Sequence, residues 1–107
     1  MTAPTPLVFD TAQFARRTMG DPHTQKEVLA LFVAEVERLM RQIEDASDPQ
    51  LRGGRLRVLT TAARNLGAAR LAAAARAVET QIGEAFDIAP LRAAVTETLA
   101  YLETRRS

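Results

Sequence analysis

Residues 55–79 read RLRVLTTAARNLGAARLAAAARAVE. Leu56, Leu59, Ala63 and Leu66 recur at spacings of three and four, which places them on one side of a helix. Arg57, Thr60, Thr61 and Arg64 repeat that spacing one position later and form a polar stripe expected to face solvent. Gly67 interrupts the pattern, and a further helix is expected from about Ala69 to Ile82. Gly53 and Gly54 continue the polar stripe upstream with no side chains, in a loop expected to lead into the helix, which would begin at about Leu51 or Arg55. The result is a shallow exposed strip with cations at both ends and two hydroxyls between them. The small side chains of 68–77 suit close contact between helices.

The same reading extends in both directions. The chain is rich in Ala, Leu, Glu and Arg, which are strong helix formers, and it lacks alternating β-branched runs. A short first helix follows Phe9-Asp10, with Asp10 as its cap, Gly20 as its end, and Phe14, Ala15 and Met19 facing inward. Residues 1–8 are expected to be an extended segment. A second helix opens at Gly20-Asp21-Pro22, where Asp at the cap and Pro at the first helical position form a start signal. Thr24-Gln25-Lys26-Glu27 also fits a capping box, so the start could lie a turn later. Leu29, Phe32, Val36, Leu39 or Met40, and Ile43 form its apolar stripe, and Asp48-Pro49 is expected to stop it. After a turn from Gly83 to Pro90, a last helix places Leu91, Val95, Leu99 and Leu102 on one face. Short loops between amphipathic helices imply a single all-α domain, an up-and-down antiparallel four-helix bundle with a short extra N-terminal helix.

Composition narrows the chemistry. At 107 residues the chain can hold one core, and with 25% charged and 47% apolar residues it has a globular balance. It has no cysteine, so disulfides, thiolate catalysis and Cys-ligated zinc are excluded. Its single histidine, His23, cannot form a histidine cluster, and no metal or cofactor is expected. The start MTAPTPLVFD is unlike a signal peptide, and no apolar run approaches membrane-spanning length, so the expected location is the cytoplasm. Net charge is only +1, yet Pro49 to Val78 contains six arginines and no acid. Arginine pairs well with carboxylates and phosphates.

The 57–68 stretch resembles the signature of the histidine phosphotransfer (HPt) family. That family carries a run of the form H-x-L-K-G-S-A-x-x-L-G-A on the third helix of a four-helix bundle. Leu59, Ala63, Leu66, Gly67 and Ala68 match it in register, Leu71 and Glu79 fit the continuation, and GDPHTQKEVLALFVAEVERL resembles the family's second helix. The resemblance covers most of the chain, from Phe9 to the last helix. The chemical positions depart from it. Register puts Arg57 in place of the phospho-accepting histidine, Thr60 in place of the lysine, Thr61 in place of the glycine and Ala62 in place of the serine. An imidazole nitrogen is nucleophilic near neutral pH, whereas guanidinium stays protonated and cannot accept a phosphoryl group in that way.

The resemblance therefore implies a pseudo-phosphotransfer module rather than an enzyme. Its partner would be a response-regulator receiver domain or a histidine kinase, met through Arg57, Thr60, Thr61, Arg64, Gly53, Gly54 and Arg55, with Arg70 adding steering. His23 is expected to be an ordinary first-turn residue; a relocated phosphorylation site is the other reading. A basic helical module binding nucleic acid is the alternative from a different class. Against it, the arginines at 52, 55, 57, 64, 70 and 76 fall on more than one face, and no aromatic residue lies in that block to stack on bases. A purely structural helical module is a further alternative. One core accounts for every apolar stripe, so a monomer is expected.

Overall fold

A computed structural model describes residues 5–81 and 87–106 of the chain. Among them the fold is all-helical, with five helices and no strand: α1 Thr11–Arg17, α2 Pro22–Asp45, α3 Pro49–Leu66, α4 Ala69–Glu79 and α5 Ala89–Arg106. The expected continuation of α4 to Ile82 does not occur: the helix ends at Glu79, Thr80 caps it and Gln81 is non-helical. Of the turn expected from Gly83 to Pro90, Ala89 and Pro90 already belong to α5. Residues 82–86 and residues 1–4 of the N-terminal segment lie outside the described residues.

Three helices start on an aspartate. Asp10 accepts from the Gln13 backbone N–H at 3.0 Å, Asp21 from that of Thr24 at 3.2 Å, and Asp48 from that of Gln50 at 2.9 Å. Each bond satisfies one of the donors that a helix leaves open at its first turn. Pro22 and Pro49 occupy the first turns of α2 and α3, where a missing N–H costs nothing. Asp21 thus decides the start of α2, and Thr24 lies inside the first turn rather than serving as the cap.

The third helix differs from its expected extent. Asp48-Pro49 does not stop α2, which already ends at Asp45 where Ala46 turns extended. The pair begins α3 instead, and Gly53 and Gly54 lie inside that helix rather than in a loop. Glycine costs about 1 kcal/mol in a helix interior. Here the aspartate–proline start and the buried leucines downstream hold the turn nonetheless. At the other end Gly67 takes φ 101°, and the Gly67 and Ala68 N–H groups bond back to Arg64 and Ala63 carbonyls at 3.3 and 2.8 Å. That left-handed cap ends α3 and lets α4 reverse beside it.

The core draws on every helix. Leu29, Phe32, Val36, Leu39, Met40 and Ile43 are buried on α2, as are Leu56, Leu59, Ala63 and Leu66 on α3. On α4 the buried set is Leu71, Ala72, Ala75 and Val78, and its alanines suit the extensive packing of α4 against α3. On α5, Leu91 and Leu102 are fully buried, whereas Val95 and Leu99 are half-buried beside the buried Ala94 and Thr98. The inward face of α5 is therefore turned slightly from the expected leucine–valine line. Burying a leucine contributes about 1.5–3 kcal/mol. Helix α2 packs on α3, α3 on α4, α4 on α5, and α5 back on α2.

Helix α1 lies against α3. Phe9 and Phe14 meet edge to face at 5.2 Å between ring centres, and Phe9 also contacts Tyr101 at 5.8 Å. Gln13 donates to the Arg64 carbonyl at 2.9 Å, satisfying an acceptor at the end of α3. Of the three residues expected inward on α1, only Phe14 is buried. Ala15 is exposed, and Met19 is 92% exposed with φ 55°, because α1 ends at Arg17 and the chain reverses through Met19 and Gly20. The 5–8 segment is coil pinned to α4: the Arg70 N–H donates to the Leu7 carbonyl at 2.8 Å, and the Arg70 side chain to Pro6 at 3.0 Å.

Candidate functional site

Burying Leu56, Leu59, Ala63 and Leu66 turns the opposite side of α3 outward. Arg57, Thr61 and Arg64 are exposed there, as expected from their phase. Thr60 is a correction. It is only 5% exposed, and its hydroxyl donates to the Leu56 carbonyl one turn back at 2.9 Å. The reason lies across the seam: α4 brings small alanines against α3, so the packed face is wider than the leucine stripe and takes in position 60. A threonine tolerates this because its only polar hydrogen is satisfied within its own helix.

Together α3 and α4 form a groove of about 330 Å³ lined by Arg57, Thr60, Thr61, Arg64, Arg76, Glu79 and Thr80. Four of the expected site residues meet here. Arg76, Glu79 and Thr80 were not among them, since α4 offered no polar stripe of its own to single them out. The Arg57 side chain is 77% exposed, and its Nε donates to Glu79 Oε1 at 3.2 Å; the Glu79 side chain is 20% exposed. Thr80 donates its hydroxyl to the Ala77 carbonyl at 2.8 Å. Three arginines and one carboxylate thus line the groove, and one of the arginines is paired with that carboxylate.

Three other expected residues do not line the groove. Gly53 and Gly54 sit upstream on α3, and a Cβ built on either would meet nothing within 4 Å. Arg55 is half-buried and outside the lining set. Arg70, expected to add steering, is engaged elsewhere, with its side chain bridging Pro6 and, at 2.9 Å, Glu97 on α5. The arginine-rich block is therefore divided between faces once it folds.

A second depression of about 550 Å³ runs along the other side of α3, between it, α1 and α2, and includes Val28, Leu31, Phe32, Ala62 and Leu66. Leu31 is 72% exposed, and Val58 on α3 is 42% exposed. His23 lies in the first turn of α2, outside both depressions, with its Nε2 3.0 Å from Glu27 Oε1. Glu35 pairs with Arg38 at 2.6 Å, as helical spacing suggests, and Glu44 pairs with Arg92 of α5 at 2.7 Å. Among the described residues no group of three or more His, Cys, Asp or Glu is placed to hold a metal ion, and no helix is long and apolar enough to cross a membrane.

No family model, no curated protein and no solved structure matches this chain. The functional reading therefore rests on the residues and their placement.

Proposed function

We propose that this chain is a pseudo-phosphotransfer module, an HPt-like four-helix bundle with an extra N-terminal helix. It docks a receiver domain or a histidine kinase of a two-component relay without carrying phosphate. The observation that carries the reading is Arg57. It stands exposed on the outer face of α3, in the register position of the family's histidine, above a buried leucine–alanine face that keeps the family pattern. Support for the bundle comes from the cycle of packing among α2, α3, α4 and α5, joined at 46–48 and 67–68 by short connections that favour antiparallel neighbours. On this reading the module is cytoplasmic and monomeric.

A receiver presents clustered carboxylates around its aspartate. Arg57 supplies a fixed charge toward them, and Arg64 and Arg76 extend the positive field, which acts mainly on association rate and fades with salt. Val58 and Leu31 flank α3 with apolar surface suited to the dry part of such a contact. Guanidinium holds its proton at physiological pH, so the module binds and does not relay. Glu79 must release Arg57, at least in part, for the cation to turn toward a partner.

The test mixes the protein with phosphorylated receivers and follows complex formation and label transfer separately. Complex without label on this chain is expected. Stable label on any of its side chains refutes the proposal. Arg57→Glu is expected to weaken the complex by about 2 kcal/mol, roughly 30-fold, measured by titration calorimetry.

A further inference from the structure

The groove between α3 and α4 carries more positive charge than docking through Arg57 requires. We infer that it is a receptor for a phosphoryl-type tetrahedral oxyanion, with Glu79 acting as an internal counter-ion that the ligand displaces. This deepens the docking reading and rests on it for one point, the receiver's aspartyl phosphate as the natural source of the phosphoryl group.

Arg57 and Arg64 are two helical turns apart on α3, and Arg76 faces them from α4. Arg64 and Arg76 make no ion pair among the described residues, whereas Arg57 is held by Glu79. Each guanidinium offers five N–H donors in a planar fork, and the Glu79 contact at 3.2 Å occupies one on Arg57. Of the lining hydroxyls, Thr60 and Thr80 give their protons to backbone carbonyls, which leaves Thr61 free to donate. The donors therefore come from two helices and several directions. A planar carboxylate satisfies one guanidinium fork, but a phosphoryl group turns three oxygens outward and can engage cations from both helices.

Glu79 tunes the charge of the groove. Its side chain is 20% exposed and its carboxylate holds Arg57 inside the groove that Arg64 and Arg76 also line, so it occupies one cation and repels an arriving anion. Removing its charge should strengthen oxyanion binding, which loss of a merely structural ion pair would not do. The site would also favour a phosphorylated receiver over an unphosphorylated one.

The experiment is a nuclear magnetic resonance titration of the whole chain with inorganic phosphate at constant ionic strength, using chloride and acetate as comparison anions. It follows the Thr61 amide and the arginine Nε–H signals. Saturable phosphate shifts exceeding those from either comparison anion are expected. Glu79→Gln should tighten binding at least threefold. Arg76→Gln and Arg64→Gln, both at exposed positions, should each weaken it at least threefold with the circular dichroism spectrum unchanged. Phosphate shifts no larger than those of chloride, or unchanged affinity in Glu79→Gln, overturn the inference. A second arm compares receiver with and without beryllofluoride, a phosphoryl mimic, and tighter binding with the mimic is expected. Receiver binding with no phosphate effect overturns the oxyanion site and leaves docking intact. Phosphate binding without receiver binding supports the site and overturns docking. A single-stranded oligonucleotide binding more tightly than both phosphate and receiver overturns the assignment of ligand.

Discussion

One substitution made at three glycines should change sign with position. Gly53 and Gly54 lie inside α3, and a methyl group added to either meets nothing within 4 Å. Alanine there restricts the unfolded chain and favours the helix, worth about 0.5–1 kcal/mol per site. Gly67 differs on both counts. Its φ of 101° is left-handed, which costs an L-residue about 1–2 kcal/mol. A Cβ on Gly67 would also stand 3.0 Å from the Asp10 carbonyl oxygen and 3.4 Å from the Asp10 Cβ. Asp10 cannot easily withdraw. Its N–H donates to the Gly67 carbonyl at 2.8 Å, its own carbonyl accepts from Phe14, and its side chain caps α1. Relieving the overlap must disturb the start of α1, adding about 1–3 kcal/mol. Gly67→Ala is therefore expected to cost about 3 kcal/mol, and the Gly53→Ala/Gly54→Ala double variant to gain about 1–2 kcal/mol. Urea unfolding followed at 222 nm measures both. For a domain of this size each kcal/mol moves the melting temperature by roughly 4–8 °C. A double variant less stable than the parent would refute a helix through residues 53 and 54. A Gly67→Ala variant of parental stability would refute the tight seating of α1 on the α3–α4 turn.

Other outcomes follow from particular contacts. Leu59 is wholly buried, so Leu59→Ala should cost about 3 kcal/mol in the same unfolding assay. The Asp21 carboxyl is held below its ordinary value, first by the Thr24 hydroxyl and then by the Thr24 and His23 backbone N–H groups. Its contribution should be fully present above the ordinary carboxylate range and fade as pH falls through the lowered value; Asp21→Asn should flatten that part of the stability–pH curve. Arg70 is tied to Pro6 and Glu97 rather than to the α3–α4 groove. Arg70→Ala should therefore leave receiver and phosphate affinity unchanged while costing at most about 1 kcal/mol of stability.

Local chemistry explains which site features were legible in the sequence. Arg57, Thr61 and Arg64 were readable because helical phase alone turns them away from Leu59 and Ala63. Thr60 was misplaced because phase gives a direction, while burial depends on the breadth of the neighbouring helix. Arg76, Glu79 and Thr80 gave no signal of belonging to this site, because they join it only when α4 folds back beside α3. Arg70 looked equivalent to the other arginines along the chain, and only the placement of the 5–8 segment and of α5 separates it from them.

By itself the sequence determined the all-helical class, the aspartate cap of α1, the break at Gly67 and the apolar stripes of α2 and α3. Each of these depends on residues within a few turns of one another. The tertiary structure decided the rest: α3 running through Gly53 and Gly54 from the Asp48-Pro49 start, Met19 pointing outward, and the division of the arginines between faces. It also paired Arg57 with Glu79 across 22 positions of chain. Such features reflect the competition of distant segments for the same space, and spacing along a single helix holds no record of that competition.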